Sequence, residues 1–319
     1  ETGRVFVNPL KRGAMAIKQT SLSGLASVLP EPSAGLAGGI TAGDKRGLGP
    51  ELSDTFRTVG LTHIIVLSGY NIMVVVFALS WVFARLRFSP RAELFAGVSI
   101  AALFALMTGL ASSSVRAALM ASISILGKAT GRVYLALRAL AFVATSMLLW
   151  NPYLLLFDVG FQLSVIATWG LITLSPIVAS YIRFVPERFG FKEILSATLA
   201  TQIAVLPLLL YQSGTFSVVS LPANILSLVV VPWAMLFSAV AGMLGALFGF
   251  FAIPLALPAY ALLSYIIFIA DTFASLPFAS VSVSAFSAWW LVPAYGLLLL
   301  TVRSVSIAEP KNAPQSHSS

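Results

Sequence analysis

His63 and Ser68 stand five residues apart in an otherwise apolar run, and a histidine close to a serine raises nucleophilic chemistry first. One helical turn and a little more gives poor geometry between a nucleophile and its base. No G-x-S-x-G surrounds the serine either. Metal chemistry has less to work with. The chain has no cysteine and two histidines, one of them His317 near the C-terminus, and no H-E-x-x-H run. No G-x-x-x-x-G-K-[ST] loop is present to hold a nucleotide. The remaining polar groups in apolar surroundings are Asn71, Arg116, Asp158, Gln162, Gln202 and Asn224. These types bind and conduct more readily than they catalyse, so no catalytic residue, metal or cofactor is expected.

The elements that must carry these groups follow from composition. The 319 residues are 58% hydrophobic and 9% charged, against roughly 25% charged in a soluble domain. Hydrocarbon must therefore solvate most of the exterior. Apolar stretches close to the ~20 residues that cross a bilayer recur from Ile64 onward. They predict spans over 62–84, 92–110, 113–128, 133–150, 158–180, 193–212, 217–236, 238–252, 254–276 and 286–303. Pro207, Pro222, Pro232, Pro254 and Pro258 are expected to kink or interrupt helices, so part of 207–258 is re-entrant rather than spanning. The fold class is all-α, a polytopic transmembrane bundle with broken helices.

Residues 1–60 differ, with many charges and apolar stretches too short to cross, and are expected to form an amphipathic segment at the membrane interface. Gly35, Gly39 and Gly43 recur every four residues, a stripe suited to close helix packing. Residues 61–303 form the transmembrane domain, and 304–319 a polar, disordered tail.

Net charge is +8, which serves either topology or attraction for a polyanion. Arg85, Arg87 and Arg91, then Lys128, Arg132 and Arg138, then Arg183, Arg188 and Lys192 collect at alternate connections. Residues 108–112, 150–157 and 212–216 carry no Lys or Arg. The alternation puts the basic connections inside and sets His63 at the outer end of its helix. The basic residues before position 60 then fall outside, against the simple charge rule.

On this topology His63, Asn71, Arg116, Asp158, Gln162 and Asn224 share the outer half of the membrane. His63, Leu67, Tyr70 and Asn71 lie on one helical face, which either lines a hydrated vestibule or packs by hydrogen bonds against a neighbouring helix. Arg116 either pairs, with Asp158 as the acid best placed for it, or snorkels to the interface.

The run Gly43-Asp44-Lys45-Arg46, Leu48-Gly49-Pro50-Glu51-Leu52 and Phe56-Arg57-Thr58-Val59-Gly60-Leu61-Thr62-His63 through Leu67-Ser68-Gly69-Tyr70-Asn71-Ile72 resembles the signature of the ComEC-type competence protein family. Ser112-Ser113-Ser114-Val115-Arg116-Ala117, Asp158-Val159-Gly160-Phe161-Gln162-Leu163-Ser164 and Pro222-Ala223-Asn224 extend the resemblance in the same order.

The resemblance implies a multi-pass inner-membrane channel for single-stranded DNA in natural transformation. A polytopic carrier of a small solute is the alternative. It implies partners as well: single-stranded DNA, the lipid bilayer, a DNA receptor outside, a helicase or ATPase motor inside, and a second copy of the chain. Many members add an OB-like domain before this region and a metallo-β-lactamase-like domain after it. Without the metal motifs of the latter, this chain is expected to be non-enzymatic. The positions carried over as path candidates are Arg57, His63, Ser68, Tyr70, Asn71, Arg116, Asp158, Gln162, Gln202 and Asn224. Arg57 and Arg116 would meet phosphates and Tyr70 would stack on bases.

Overall fold

The structure is a computed structural model and describes residues 9–44, 46–65, 71, 85, 89–185, 190–284 and 286–308. Ser68, Tyr70, most of the expected span 62–84 and the tail beyond 308 lie outside these residues. The described chain is almost wholly helical. It divides into two units, the first made of residues 1–164 and 217–280, the second of 165–216 and 281–319.

In the first unit, α1 (Pro9–Val28) ends just before Pro30, which cannot continue a helix. α2 (Ser33–Ala42) is short and buried at nine of its ten positions. Glu31 accepts the Gly35 N–H at its start, at 3.0 Å. Gly43 ends it at φ 65°, a left-handed conformation suited to glycine. α3 (Gly49–Thr58) opens on Pro50 and Glu51 and buries Leu52 and Phe56 one turn apart. α4 (Thr62–Ile65) follows.

Further along come α5 (Pro90–Met107), α6 (Ser112–Ala129), α7 (Ala136–Trp150) and α8 (Leu154–Phe157). Ser89 caps α5 by accepting the Ala92 N–H at 3.3 Å, ahead of Pro90. α9 (Val159–Tyr181) begins in the first unit, and its residues from Val165 belong to the second.

In the second unit α9 packs along α10 (Phe191–Ser213) around Leu174, Ala200 and Ala204. The first unit resumes with α11 (Ser220–Leu228), α12 (Val231–Phe248) and α13 (Ile253–Ala274). The last helix, α14 (Leu291–Ala308), belongs to the second. Two three-residue strands, Thr215–Ser217 and Ser280–Ser282, form a small ribbon that a purely helical expectation omits.

Four apolar stretches are long enough to cross a membrane: Val159–Tyr181, Phe191–Ser213, Val231–Ala274 and Ala288–Val305. The helix over 136–150 rises about 22 Å, short of the ~30 Å hydrocarbon core. Large apolar side chains face outward throughout; Trp150 is 93% exposed and sits with Trp289 and Trp290 at helix ends. Such a surface is favourable against lipid and costly against water.

The expected helix over 217–236 is not formed. α11 stops at Leu228, and a new helix starts at Val231 with Pro232 in its first turn. Pro232 and Pro254 sit where the N–H they lack has no helical partner anyway. Only Pro207 and Pro258 of the expected breakers lie inside helices. The sequence reading did not single out Pro176, inside α9. Val231–Ala274 becomes a helical hairpin, reversed by a 3-10 turn at Gly249–Ala252 where Gly249 takes φ 55°.

The N-terminal segment does not lie apart from the rest. Leu25, Leu36, Ile40 and Phe56 share one core with Val231, Leu263 and Ile266. Glycine makes this possible. A Cβ on Gly24 would meet the Gly242 carbonyl oxygen, and one on Gly245 would meet that of Gly24. Of the predicted stripe, Gly35 abuts the Gly47 carbonyl, Gly39 touches Ile65, and Gly43 is the helix cap. Gly245→Val should force α1 off α12 and lower stability by about 1–3 kcal/mol, the usual cost of overpacking. Thermal melts in detergent followed by circular dichroism check this, and an unchanged melt counts against that contact.

Candidate functional site

The strongest polar constellation in the first unit joins the starts of two helices. Asp158 precedes α9, and its Oδ1 accepts the Phe161 N–H at 2.7 Å, a helix-capping bond with the carboxylate at the favourable end of the helix dipole. The same oxygen accepts the hydroxyl of Ser112, the first residue of α6, at 2.9 Å. A Cβ at Gly160 would crowd both groups, 3.1 Å from Oδ1 and 3.5 Å from the serine oxygen.

One turn into α6, Arg116 is only 5% exposed. Its Nε donates to Ser164 Oγ at 2.7 Å and its Nη1 to Met120 Sδ at 3.2 Å. A thioether is a weak acceptor, and a guanidinium has five N–H groups to place. Asp158 is not its partner. The ion pairs among the described residues are Lys18–Asp44 and Lys128–Glu93. Arg116 is thus a buried cation without a carboxylate, an arrangement that costs free energy and is typical of functional positions in membrane proteins. Gln162, one turn into α9, donates to the Leu155 carbonyl at 2.7 Å.

A second polar set lies around α4. His63 is exposed, with Nδ1 3.2 Å from the Gly60 carbonyl, to which it donates in the tautomer carrying that proton. Gly60 takes φ 74°, and a Cβ there would press within 2.7 Å of Ser220, so any side chain would be strained. Asn71, 1% exposed, donates to the Ile40 carbonyl at 3.4 Å and so ties its helix position to α2. Asn224, 4% exposed on α11, keeps its Oδ1 without a hydrogen-bond partner among the described residues. Ser227 and Ser238 are in the same state.

Arg57 is exposed at the end of α3, and Gln202 is half-buried in the second unit. Direct bonds therefore link Arg116, Asp158 and the opening of α9, while Asn71 and Asn224 are buried elsewhere in the first unit. Sequence reasoning missed Ser112 as the partner of Asp158, Ser164 as that of Arg116, and Lys18. Lys18 bridges Asp44 at 3.9 Å and the Met107 carbonyl at 3.4 Å. The serines carry no distinguishing pattern. Lys18 belonged to a segment read as lying at the interface.

These features define an α-helical membrane protein built around buried, bonded polar groups. Residues 40–306 match the model of the family described as competence protein, and the chain belongs to that family. It is 28% identical over 234 residues to ComE operon protein 3 of Bacillus subtilis (strain 168). That alignment covers 73% of this chain and 29% of the relative, so the chain spans less than a third of that protein's length. No solved structure matches.

The geometry makes Asp158 a helix-start group. Asp158→Ala should lower stability by about 1–2 kcal/mol, the range of lost N-caps, with Asp158→Asn recovering most of it. Equal melting of the alanine variant and the parent chain in detergent would remove this role.

Proposed function

We propose that this chain is the multi-pass inner-membrane channel through which single-stranded DNA passes into the cell during competence. The observation that carries the reading is Arg116, a buried guanidinium bonded to a hydroxyl and a thioether and paired with no carboxylate. Its remaining donors suit phosphate oxygens, which guanidinium binds in bidentate fashion. Membership of the competence protein family supports DNA as the cargo over a small solute.

Asp158 is held nearby on the serine that opens the helix of Arg116. A passage for a polyanion needs attraction weak enough to release it, and a carboxylate at the same helix starts moderates the pull of the arginine. Arg57, exposed outside the apolar helices, meets the strand before it enters. The chain is a passage and not a catalyst. Strand delivery and pulling fall to a receptor outside and an ATP-driven motor inside, and a second copy of the chain completes the assembly.

Arg116→Ala should reduce internalisation of labelled DNA about ten- to hundredfold, the worth of one charge-assisted hydrogen bond. DNA bound at the cell surface should stay at its normal level. Normal internalisation would take Arg116 off the path. Arg57→Gln should weaken single-strand binding and reduce the slope of log affinity against log salt by about 0.7. Fluorescence anisotropy at several salt concentrations measures that slope, and no change in it excludes a phosphate contact at Arg57.

A further inference from the structure

A groove of about 740 Å³ runs along the outside of α5, α6 and α7, separate from the Arg116 constellation. Its walls include Phe95, Val98, Leu119, Ile123 and Phe142, and Arg91 lines it as well. The volume is that of a pocket for a ligand of several hundred daltons. Its chemistry is lopsided: hydrocarbon along the length and cationic at one end.

The packing fixes which end. Glu93 near the start of α5 meets Lys128 near the end of α6 at 2.9 Å, so the two helices run antiparallel. Arg91 therefore lies beside Leu126 and the last turn of α6. Arg138 stands four residues before Phe142 on α7, on the same helical face, and is exposed. Arg91, Lys128, Arg132 and Arg138 gather at this end against the single carboxylate of Glu93, leaving a clear positive excess. A neutral lipid would gain from the walls alone. An anionic one gains from both walls and rim.

We propose that this groove is a binding site for one anionic phospholipid, its phosphate at Arg91 and Arg138 and an acyl chain along Phe95, Leu119 and Phe142. Basic pockets between membrane helices hold anionic headgroups by the same physics. The site is independent of the DNA-conducting role and stands or falls on its own.

The test is native mass spectrometry of the full chain released from nanodiscs of equal phosphatidylglycerol and phosphatidylcholine. The chain should retain phosphatidylglycerol in preference. Arg91→Gln and Arg138→Gln should each lower its retention about fivefold, the effect of one cationic side chain at an anionic surface. Leu119→Trp keeps both arginines and fills the groove, and should also lower retention. Val98→Phe serves the same purpose if Leu119→Trp fails to fold by circular dichroism. Equal retention of the two lipids overturns the assignment, as does unchanged retention in both arginine variants. A dimer that occupies the groove in place of lipid, and is lost on filling it, overturns it too.

Discussion

One carboxylate oxygen governs how the polar groups of the first unit are arranged. Asp158 Oδ1 accepts from the backbone at the start of α9 and from the hydroxyl that opens α6. Helix starts leave N–H groups unsatisfied, and in a membrane there is little water to take them. A single anion serving two helices fixes their ends side by side. With those ends fixed, Ser164 on one helix falls within 2.7 Å of Arg116 on the other. The buried cation is thus held by scaffold geometry and not by a counter-ion.

Tight packing by small residues supplies the rest. Gly24, Gly242 and Gly245 let two backbones touch, and alanines at 101, 105, 117, 118 and 121 do the same between α5 and α6. In lipid there is no hydrophobic gain from bringing apolar helices together, so close van der Waals contact must hold them. That explains why α2, composed largely of glycine and alanine, lies in the middle of a core and not at a surface.

Helix positions were legible where apolar length and proline punctuation agreed. Ser89-Pro90 and Gly49-Pro50 mark starts that the structure keeps. The region 217–236 was misread because Pro222 and Pro232 look like interruptions of one helix, whereas Pro232 opens the next. The polar residues themselves could be picked out, since Arg116, Asn71 and Asn224 are conspicuous in apolar runs. Their partners could not. A hydroxyl such as Ser164 or Ser112 resembles every other serine until the helices are placed. The partner proposed for Arg116 was chosen by charge, but the carboxylate of Asp158 was already committed to backbone.

The hairpin over 231–274 carries a consequence for sidedness. An up-and-back pair crosses an even number of times, and the nine-residue α11 before it is too short to cross at all. Three crossings counted between 217 and 276 therefore become two. On the orientation read from the basic loops, this parity change turns α14 around, so that Arg303 emerges on the same face as Arg85, Lys128 and Arg183. The C-terminal cations then join the other positive charges on the cytoplasmic face instead of opposing them.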